Sequence, residues 1–324
     1  MPGRELSGST SGVPVHHPWI YLDGDIVPSN QASIPVTTQA FNYGTGVFEG
    51  IRAYLDASGT RLNVFRLDAH IDRLLHSASL LMLEGLPDAA GMKMIILDLL
   101  SKNKASGDCY IRPIAFKKNL LPGTGFGVKL SGVSTGFSIN SLNMRSYVNP
   151  QGVRCALSHW RRVADCSIPA RAKITGSYVN SALAMEAAKR AGFDDALMLN
   201  SDGNLAEATT SNIFMVRNGC LITPPVNAHI LEGITRDTVI TLAKRCLGLN
   251  VDERNILPSE LLGSDECFLS GTGVEILPVR QIEHQLLRSH EENSLSLTIH
   301  DLYMKAVRGQ LDEFTDWLTP VNSY

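Results

Sequence analysis

Between Asn119 and Lys129 the chain carries Pro122, Gly123, Gly125 and Gly127, a density of breakers that no helix or strand accommodates. The stretch reads as a long loop close to a domain junction, and loops of that length usually serve a site. It divides a chain of 324 residues with 44% apolar content, enough for two ordinary domains that each build a core.

Ahead of the junction, Trp19 to Leu22, Asp23-Gly24 and Asp25 to Val27 read as strand, tight turn and strand, because Asp-Gly supplies the positive φ angles of a two-residue hairpin. Further strands are expected around Phe48 to Tyr54, Leu62 to Phe65 and Cys109 to Phe116. Helical spacing covers Leu67 to Leu83 and Ala89 to Lys104. Segregated strands and helices of this kind predict an α+β fold. After the junction, a strand through Ala156 precedes an irregular segment reaching Lys173. Val179 to Ala191 predicts a helix ended by Gly192. Strands follow at Ala196 to Leu199, Leu205 to Ala208, Asn212 to Val216 and Cys220 to Ile222. Two helices are expected beyond them: one after Gly233, with Val239, Leu242, Ala243 and Cys246 on one face, and one from Leu295 to Asp312. The expected organisation is a disordered tail over 1–16, a small α+β domain over 17–139, a connection over 140–151 and a large, ligand-binding domain over 152–324.

A formal charge of −3 and no run of Lys or Arg argue against nucleic acid as a partner. The apolar stretches, such as Met92 to Leu100, are too short to span a bilayer, and the Gly- and Ser-rich start lacks a signal-peptide core, so a cytoplasmic location is expected. Six cysteines without a close pair suggest neither a metal site nor a disulfide framework, and they read as reduced, mostly buried thiols. Small molecules are the expected partners.

Lys173 lies among small neighbours, Ala170, Ala172 and Gly176, which leave room for a ligand close to the backbone. A lysine acts as an amine catalyst once its site desolvates it or condenses it with a carbonyl. Glu207, flanked by Ala206 and Ala208, has no lysine beside it and suits a protonated ring nitrogen. Gly233-Ile234-Thr235 opens a helix and offers backbone N–H groups, a hydroxyl and a positive dipole end to a phosphate, and Ser270 to Gly273 offers a second set of donors. Arg73 is a candidate compensating charge. Each feature taken singly also has an ordinary reading, as a loop lysine, a strand glutamate, a helix cap, a turn or a solvated helix arginine.

In order along the chain stand Phe41-Asn-Tyr-Gly-Thr-Gly-Val-Phe-Glu-Gly-Ile-Arg52, Phe65-Arg66 with His70 to Leu74, Cys109-Tyr-Ile-Arg-Pro113, Lys173 to Tyr178, Leu205 to Phe214, Gly233-Ile-Thr-Arg-Asp237 and Ser270 to Arg280. This series resembles the fold-type IV aminotransferases, most closely the branched-chain amino-acid aminotransferases, and it spans Trp19 to Arg280. The resemblance implies a two-domain α+β fold like that of D-amino-acid aminotransferase, with pyridoxal 5'-phosphate at the domain interface. It implies that Lys173 carries the cofactor as a Schiff base and shuttles the substrate's Cα proton, that Glu207 meets the pyridine nitrogen and Tyr178 the phenolic oxygen, and that Arg73, Ile234, Thr235 and Thr272 bind the phosphate. Ping-pong kinetics and a homodimer or higher homo-oligomer follow from it as well.

Tyr110 and Arg112 fall on one side of a strand by its period of two, as a carboxylate clamp requires. This pair resembles the branched-chain enzymes and directs the expectation to L-amino acids, with 2-oxoglutarate as acceptor. Tyr43 and Phe48 are expected to line the side-chain pocket, and backbone donors near Thr272 and Gly273 to meet the α-carboxylate. After Phe137, Ser138 to Leu142 departs from the aromatic-rich pattern of bacterial branched-chain enzymes, which leaves the donor open to longer or aromatic side chains. Gly123 to Val128 resembles the loop that closes over substrate. The alternatives are D-amino-acid or (R)-amine transamination and aminodeoxychorismate lyase chemistry on the same fold. A phosphate-ligand protein or kinase is a further one, but no Gly-Lys-Ser or Gly-Lys-Thr follows the glycines.

Overall fold

The computed structural model describes residues 15–119, 127–144 and 151–321. Two nine-stranded sheets organise them. The first holds β1 (Val15–His16), β2 (Trp19–Leu22), β3 (Asp25–Pro28), β4 (Gly46–Phe48), β5 (Ile51–Leu55), β6 (Leu62–Phe65), β7 (Cys109–Lys117) and β8 (Thr135–Asn143), with α1 (Gln39–Tyr43), α2 (Leu67–Leu80) and α3 (Ala89–Lys102) between them. The second holds β9 (Val153–Leu157), β10 (Asp195–Leu199), β11 (Leu205–Ala208), β12 (Asn212–Arg217), β13 (Cys220–Thr223), β14 (Val251–Glu253), β15 (Glu266–Gly271), β16 (Glu275–Ile282) and β17 (Gln285–Leu286). Its helices are α4 (Tyr178–Arg190), α5 (Ile234–Leu247), α6 (Pro258–Leu262) and α7 (Leu295–Val307). One last strand, β18 (Leu318–Pro320), returns to the first sheet and pairs with β6.

Every pairing in the first sheet is antiparallel, and its main path runs β18-β6-β5-β7-β8-β2-β3. The Asp23-Gly24 turn, with φ of 51° and 117°, closes the β2–β3 hairpin at the sheet edge, as Asp-Gly dictates. Leu67, Ile71, Leu74 and Ala78 recur at helical spacing and put one face of α2 against this sheet, beside Met92 and Ile96 of α3. The side chain of Asp88 caps α3 by accepting from Gly91 N.

The second sheet is mixed, because β9 runs parallel to both β10 and β16. Both of its faces are covered, and β12 shows how its sequence achieves this. Ile213 and Met215 enter one core while Phe214 and Val216 enter another, by the strand period of two. The Phe214 core also contains Tyr54 and Phe65 of the first sheet together with Val239 of α5 and Tyr303 of α7, so an apolar layer joins the two halves.

Several expectations are corrected. Val15 and His16 form a strand against Asn143 and Leu142, so the expected tail stops short of residue 15, and residues 1–14 lie outside the described residues. β8 runs on to Asn143, so 140–143 belong to the first sheet and not to a connection; 145–150 lie outside the described residues, as do 123–126 of the expected closing loop. β18 places Leu318–Pro320 in the first sheet and not, as expected, in the large domain. The last helix ends at Val307, five residues early, because Gly309 turns left-handed at φ 71°. Cys109, Cys155 and Cys267 are buried, but Cys166 and Cys246 are exposed, and Cys246 therefore does not share the buried face of α5. Among the described residues no helix is long and apolar enough to cross a membrane.

Candidate active site

Lys173 sits where the two halves are stitched together. Its carbonyl accepts from Phe48 N at 3.0 Å, its own N donates to Ser77 Oγ at 3.1 Å, and Ile174 bridges Val47 of β4. Behind this seam Gly44 and Gly176 touch. A β-carbon on Gly44 would stand 2.6 Å from the Gly176 Cα, and Gly44 also has φ 68°, so a side chain is excluded twice over. The lysine's backbone is thereby fixed, and its half-buried Nζ donates to the Tyr178 hydroxyl at 2.8 Å.

Nζ lies in the wall between two chambers. The inner one is lined by Arg73, Arg162, Glu207, the Thr209–Asn212 segment, the start of α5 and the 270–272 strand end. The outer one, about 420 Å³, is lined by Phe48, Tyr110, Arg112, Leu142, Met144 and the 272–274 turn. Lys173, Tyr178, Thr210 and Thr272 border both.

Glu207 on β11 is 5% exposed and lines the inner chamber together with Lys173. Burial pushes its carboxyl up, while the Arg162 guanidinium and the Leu231 N–H pull it back. Arg162 Nε stands 2.7 Å from Oε1, and Oε2 accepts from Asn212 Nδ2 at 3.1 Å and from Leu231 N at 3.2 Å. A carboxylate buried this deep, its charge disfavoured by desolvation, is stabilised by a further cationic partner.

Gly233, Ile234 and Thr235 also line the chamber, where α5 begins without a side-chain cap. The free first-turn N–H groups and the helix dipole favour an anion there. Ser211 Oγ and Ser270 Oγ line the same chamber, are buried, and have no hydrogen-bond partner. Such orphaned hydroxyls suit an acceptor-rich guest.

Arg73 also borders this chamber, but its charge is already engaged. Nε and Nη2 donate to the two oxygens of Glu49, and Nη1 donates to the Glu232 carbonyl. His70 Nδ1 shares Glu49 Oε2 at 2.8 Å. Burial would push the Glu49 carboxyl up, yet Arg73 and His70 hold it well below the usual carboxylate range. Burial pushes the His70 imidazole down, against the pull of Glu49.

In the outer chamber Arg112 Nη2 donates to the Tyr110 hydroxyl at 2.5 Å, and its guanidinium lies 4.4 Å from the centre of the Phe48 ring. Its Nε is buried without a partner. Gly50 leaves room for this pair, because a β-carbon would fall 2.1 Å from the Tyr110 hydroxyl and displace it. Thr272, Gly273 and Val274 form the opposite wall, as the turn between paired Gly271 and Glu275. Glu275, buried, has φ 54°, a left-handed conformation that costs a residue with a β-carbon roughly 1–2 kcal/mol.

The structure thus brings Lys173, Tyr178, Glu207, Ile234, Thr235, Thr272, Arg73, Phe48, Tyr110, Arg112 and Gly273 around two joined chambers. Tyr43 departs from expectation: it ends α1, is 41% exposed and borders neither chamber, because left-handed Gly44 takes the chain inward after it. Sequence reasoning missed Arg162, Ser211, Asn212 and the Glu49–His70 pair, whereas Ser270 lies in the donor cluster it expected. Glu49 stands in the sequence only as one of two charges, with Arg52, in the segment from Phe48 to Tyr54.

The Amino-transferase class IV family model matches residues 46–282. A probable branched-chain-amino-acid aminotransferase of Aquifex aeolicus (strain VF5) is 41% identical over 302 residues, which is 93% of this chain and 96% of the relative. The branched-chain-amino-acid aminotransferase of Escherichia coli (strain K12) is 33% identical over 309 residues, 94% and 97% of the two chains. Among solved structures, the branched-chain aminotransferase of Thermoproteus uzoniensis with norvaline superposes with a TM-score of 0.88 at 36% identity, covering 96% of this chain and 100% of that one. The T.th. branched-chain amino acid aminotransferase complexed with N-(5'-phosphopyridoxyl)-L-glutamate gives 0.88 at 34% identity, covering 95% and 100%. Matched over most of its length by the family model and end to end by these relatives, the chain belongs to the class IV aminotransferases.

Proposed function

We propose that this protein is a pyridoxal-phosphate-dependent aminotransferase that moves the amino group of a branched-chain or other hydrophobic L-amino acid to 2-oxoglutarate. Its relatives are branched-chain aminotransferases, and one was solved with a phosphopyridoxyl-glutamate adduct. The observation that carries the reading is the company kept in the inner chamber: buried Glu207, the uncapped start of α5, and Lys173 beside Tyr178 all line it. A flat, cationic-ringed phosphate ester fits that set of groups.

Bound there, pyridoxal phosphate supplies a carbonyl that takes the amino group and a ring that takes up the charge left at Cα. The protein supplies position and proton transfer. Glu207, braced by Arg162 and Asn212, holds the ring nitrogen protonated. Ile234, Thr235 and Thr272, with Arg73 and the free hydroxyls of Ser211 and Ser270, hold the phosphate. Lys173 Nζ takes the proton from the substrate's Cα, and the Tyr178 hydroxyl keeps that amine aimed. Tyr110 and Arg112 bind the distal carboxylate of 2-oxoglutarate, while Phe48, Leu142 and Val274 bind an aliphatic side chain in the same outer chamber. Gly273 offers a backbone N–H to the α-carboxylate. Donor and acceptor use one chamber in turn, which gives ping-pong kinetics.

Cytoplasmic action as a homodimer or higher homo-oligomer belongs to the same reading. The oligomer is supported by Ile34, Val36, Phe41 and Tyr43, four exposed apolar side chains within ten residues.

The deciding experiment is a panel of L- and D-amino donors against 2-oxoglutarate with pyridoxal phosphate present. Turnover of L-leucine, L-valine and L-isoleucine well above D-alanine is expected. Equal use of D-alanine and L-leucine, or release of pyruvate from aminodeoxychorismate, overturns the reading.

A further inference from the structure

We propose that Arg52 and Glu275, paired behind the outer chamber, are positioning residues for the substrate. The inference rests on the aminotransferase reading of that chamber, and neither side chain borders it.

Three separate segments wall the chamber on its far side, and one buried guanidinium joins them all. Arg52 lies on β5 directly across from Tyr110 of β7, so it belongs to the strand pair that carries the carboxylate clamp. Its Nη2 donates to the carbonyl of Met144 at 2.9 Å, where the chain leaves β8 along the chamber wall. The same Nη2 stands 3.5 Å from Glu275 Oε1, at the foot of the 272–274 turn. Arg52 and Glu275 are 1% and 0% exposed. Arg52 therefore ties the first sheet, the end of β8 and the second sheet at the place where all three meet substrate.

Two features argue that this pair does more than fill space. Arg52 Nε and Nη1 are buried with no hydrogen-bond partner, their face packed 4.9 Å from the centre of the Tyr54 ring, although an apolar side chain there would avoid that desolvation. Glu275 holds a left-handed backbone at the residue that closes the turn, and it is the turn, not the sheet, that this conformation shapes. Behind them the Tyr54 and Tyr303 hydroxyls meet at 3.4 Å, and Tyr303 in turn reaches Thr235 at the start of α5. The polar layer thus ends against the inner chamber. Lys173, Arg73 and Glu207 of the inner chamber are held by partners outside this layer, Tyr178, Glu49 and Arg162.

Loosening the pair should accordingly release the outer chamber and spare the inner one. For Arg52→Met and Glu275→Gln, KM for both the amino donor and the oxo acid is expected to rise about tenfold or more, while pyridoxal-phosphate affinity, read from the visible absorbance of the reconstituted protein, stays within about twofold. Arg52→Lys, which keeps the charge, should recover part of the lost KM. Since a lone buried charge can prevent folding, the double variant Arg52→Met/Glu275→Met is the second arm: it removes both charges, keeps the volume, and should fold yet show the same raised KM. Folded variants that lose thermal stability but keep wild-type KM values overturn the proposal, as do variants whose cofactor affinity falls in step with KM. A wild type that neither takes up the cofactor nor transaminates overturns the aminotransferase reading and this one with it. Loss of the pairing inference alone leaves that wild-type activity intact.

Discussion

Arg73 closes on Glu49 with two parallel hydrogen bonds, Nε to Oε1 at 2.7 Å and Nη2 to Oε2 at 2.9 Å, in a carboxylate that has no exposed surface. The guanidinium that faces the inner chamber is therefore aimed from behind. Removing one member of such a buried pair costs about 3–5 kcal/mol. Glu49→Gln is expected to lower the melting temperature and to weaken pyridoxal-phosphate binding about tenfold. Wild-type affinity in that variant would show that Arg73 needs no brace.

The same pair sets a pH dependence. The Glu49 carboxyl is held below its ordinary value of about 4.3, so its stabilising effect is complete above that pH and is lost as pH falls further. The stability gap between wild type and Glu49→Gln should stay constant from about pH 7 to about pH 5 and narrow in stronger acid. Melting curves across that range check it, and a gap that widens in acid contradicts it.

Lys173→Ala should abolish the yellow visible band expected of the holoenzyme and reduce turnover by roughly 10²–10⁴-fold. The backbone bonds of residue 173 to Phe48 and Ser77 survive the change, so the melting temperature of the cofactor-free protein should hardly move.

Glu207→Gln should keep the cofactor and lose about a hundredfold or more in kcat, because a neutral amide cannot hold a ring nitrogen protonated. Arg162→Met separates brace from ligand. Burial raises the Glu207 carboxyl, and an acid with a raised folded pKa destabilises the fold increasingly as pH climbs above its ordinary value. Without Arg162 that penalty grows, so the cofactor-free variant should lose stability from acid towards neutral pH faster than wild type does. Parallel pH–stability curves would remove Arg162 from this role.

Gly50→Ala drives a β-carbon into the Tyr110 hydroxyl and should displace the Arg112 clamp. The expected result is a folded enzyme whose KM for 2-oxoglutarate rises about tenfold while that for L-leucine changes less, read in initial-rate assays.

Local pattern made much of this structure readable. The Asp23-Gly24 hairpin, the apolar stripe of α2 and the Gly192 helix end all follow from residues within one or two turns of each other, and they lie where expected. The helix start at Gly233 and the alternation of Tyr110 with Arg112 are legible for the same reason. Arg162 is not, since its partner Glu207 lies 45 residues on and nothing near position 162 marks it off from its neighbour Arg161. Glu49 and Arg73 meet across a strand and a helix. Tyr43 follows its neighbours in sequence but not in space, because a single left-handed glycine turns the chain between it and β4.

Because Leu318–Pro320 forms the strand beside β6, the first sheet remains one strand short until a ribosome has made residue 320. At a synthesis rate of about 5–20 residues per second, β6 waits roughly half a minute with its outer backbone groups unpaired. During that interval Leu62–Phe65 is an open edge next to apolar Phe65, the kind of template that recruits a wrong strand from a neighbouring nascent chain. Yield on expression should therefore depend on what shields a segment made early and finished last.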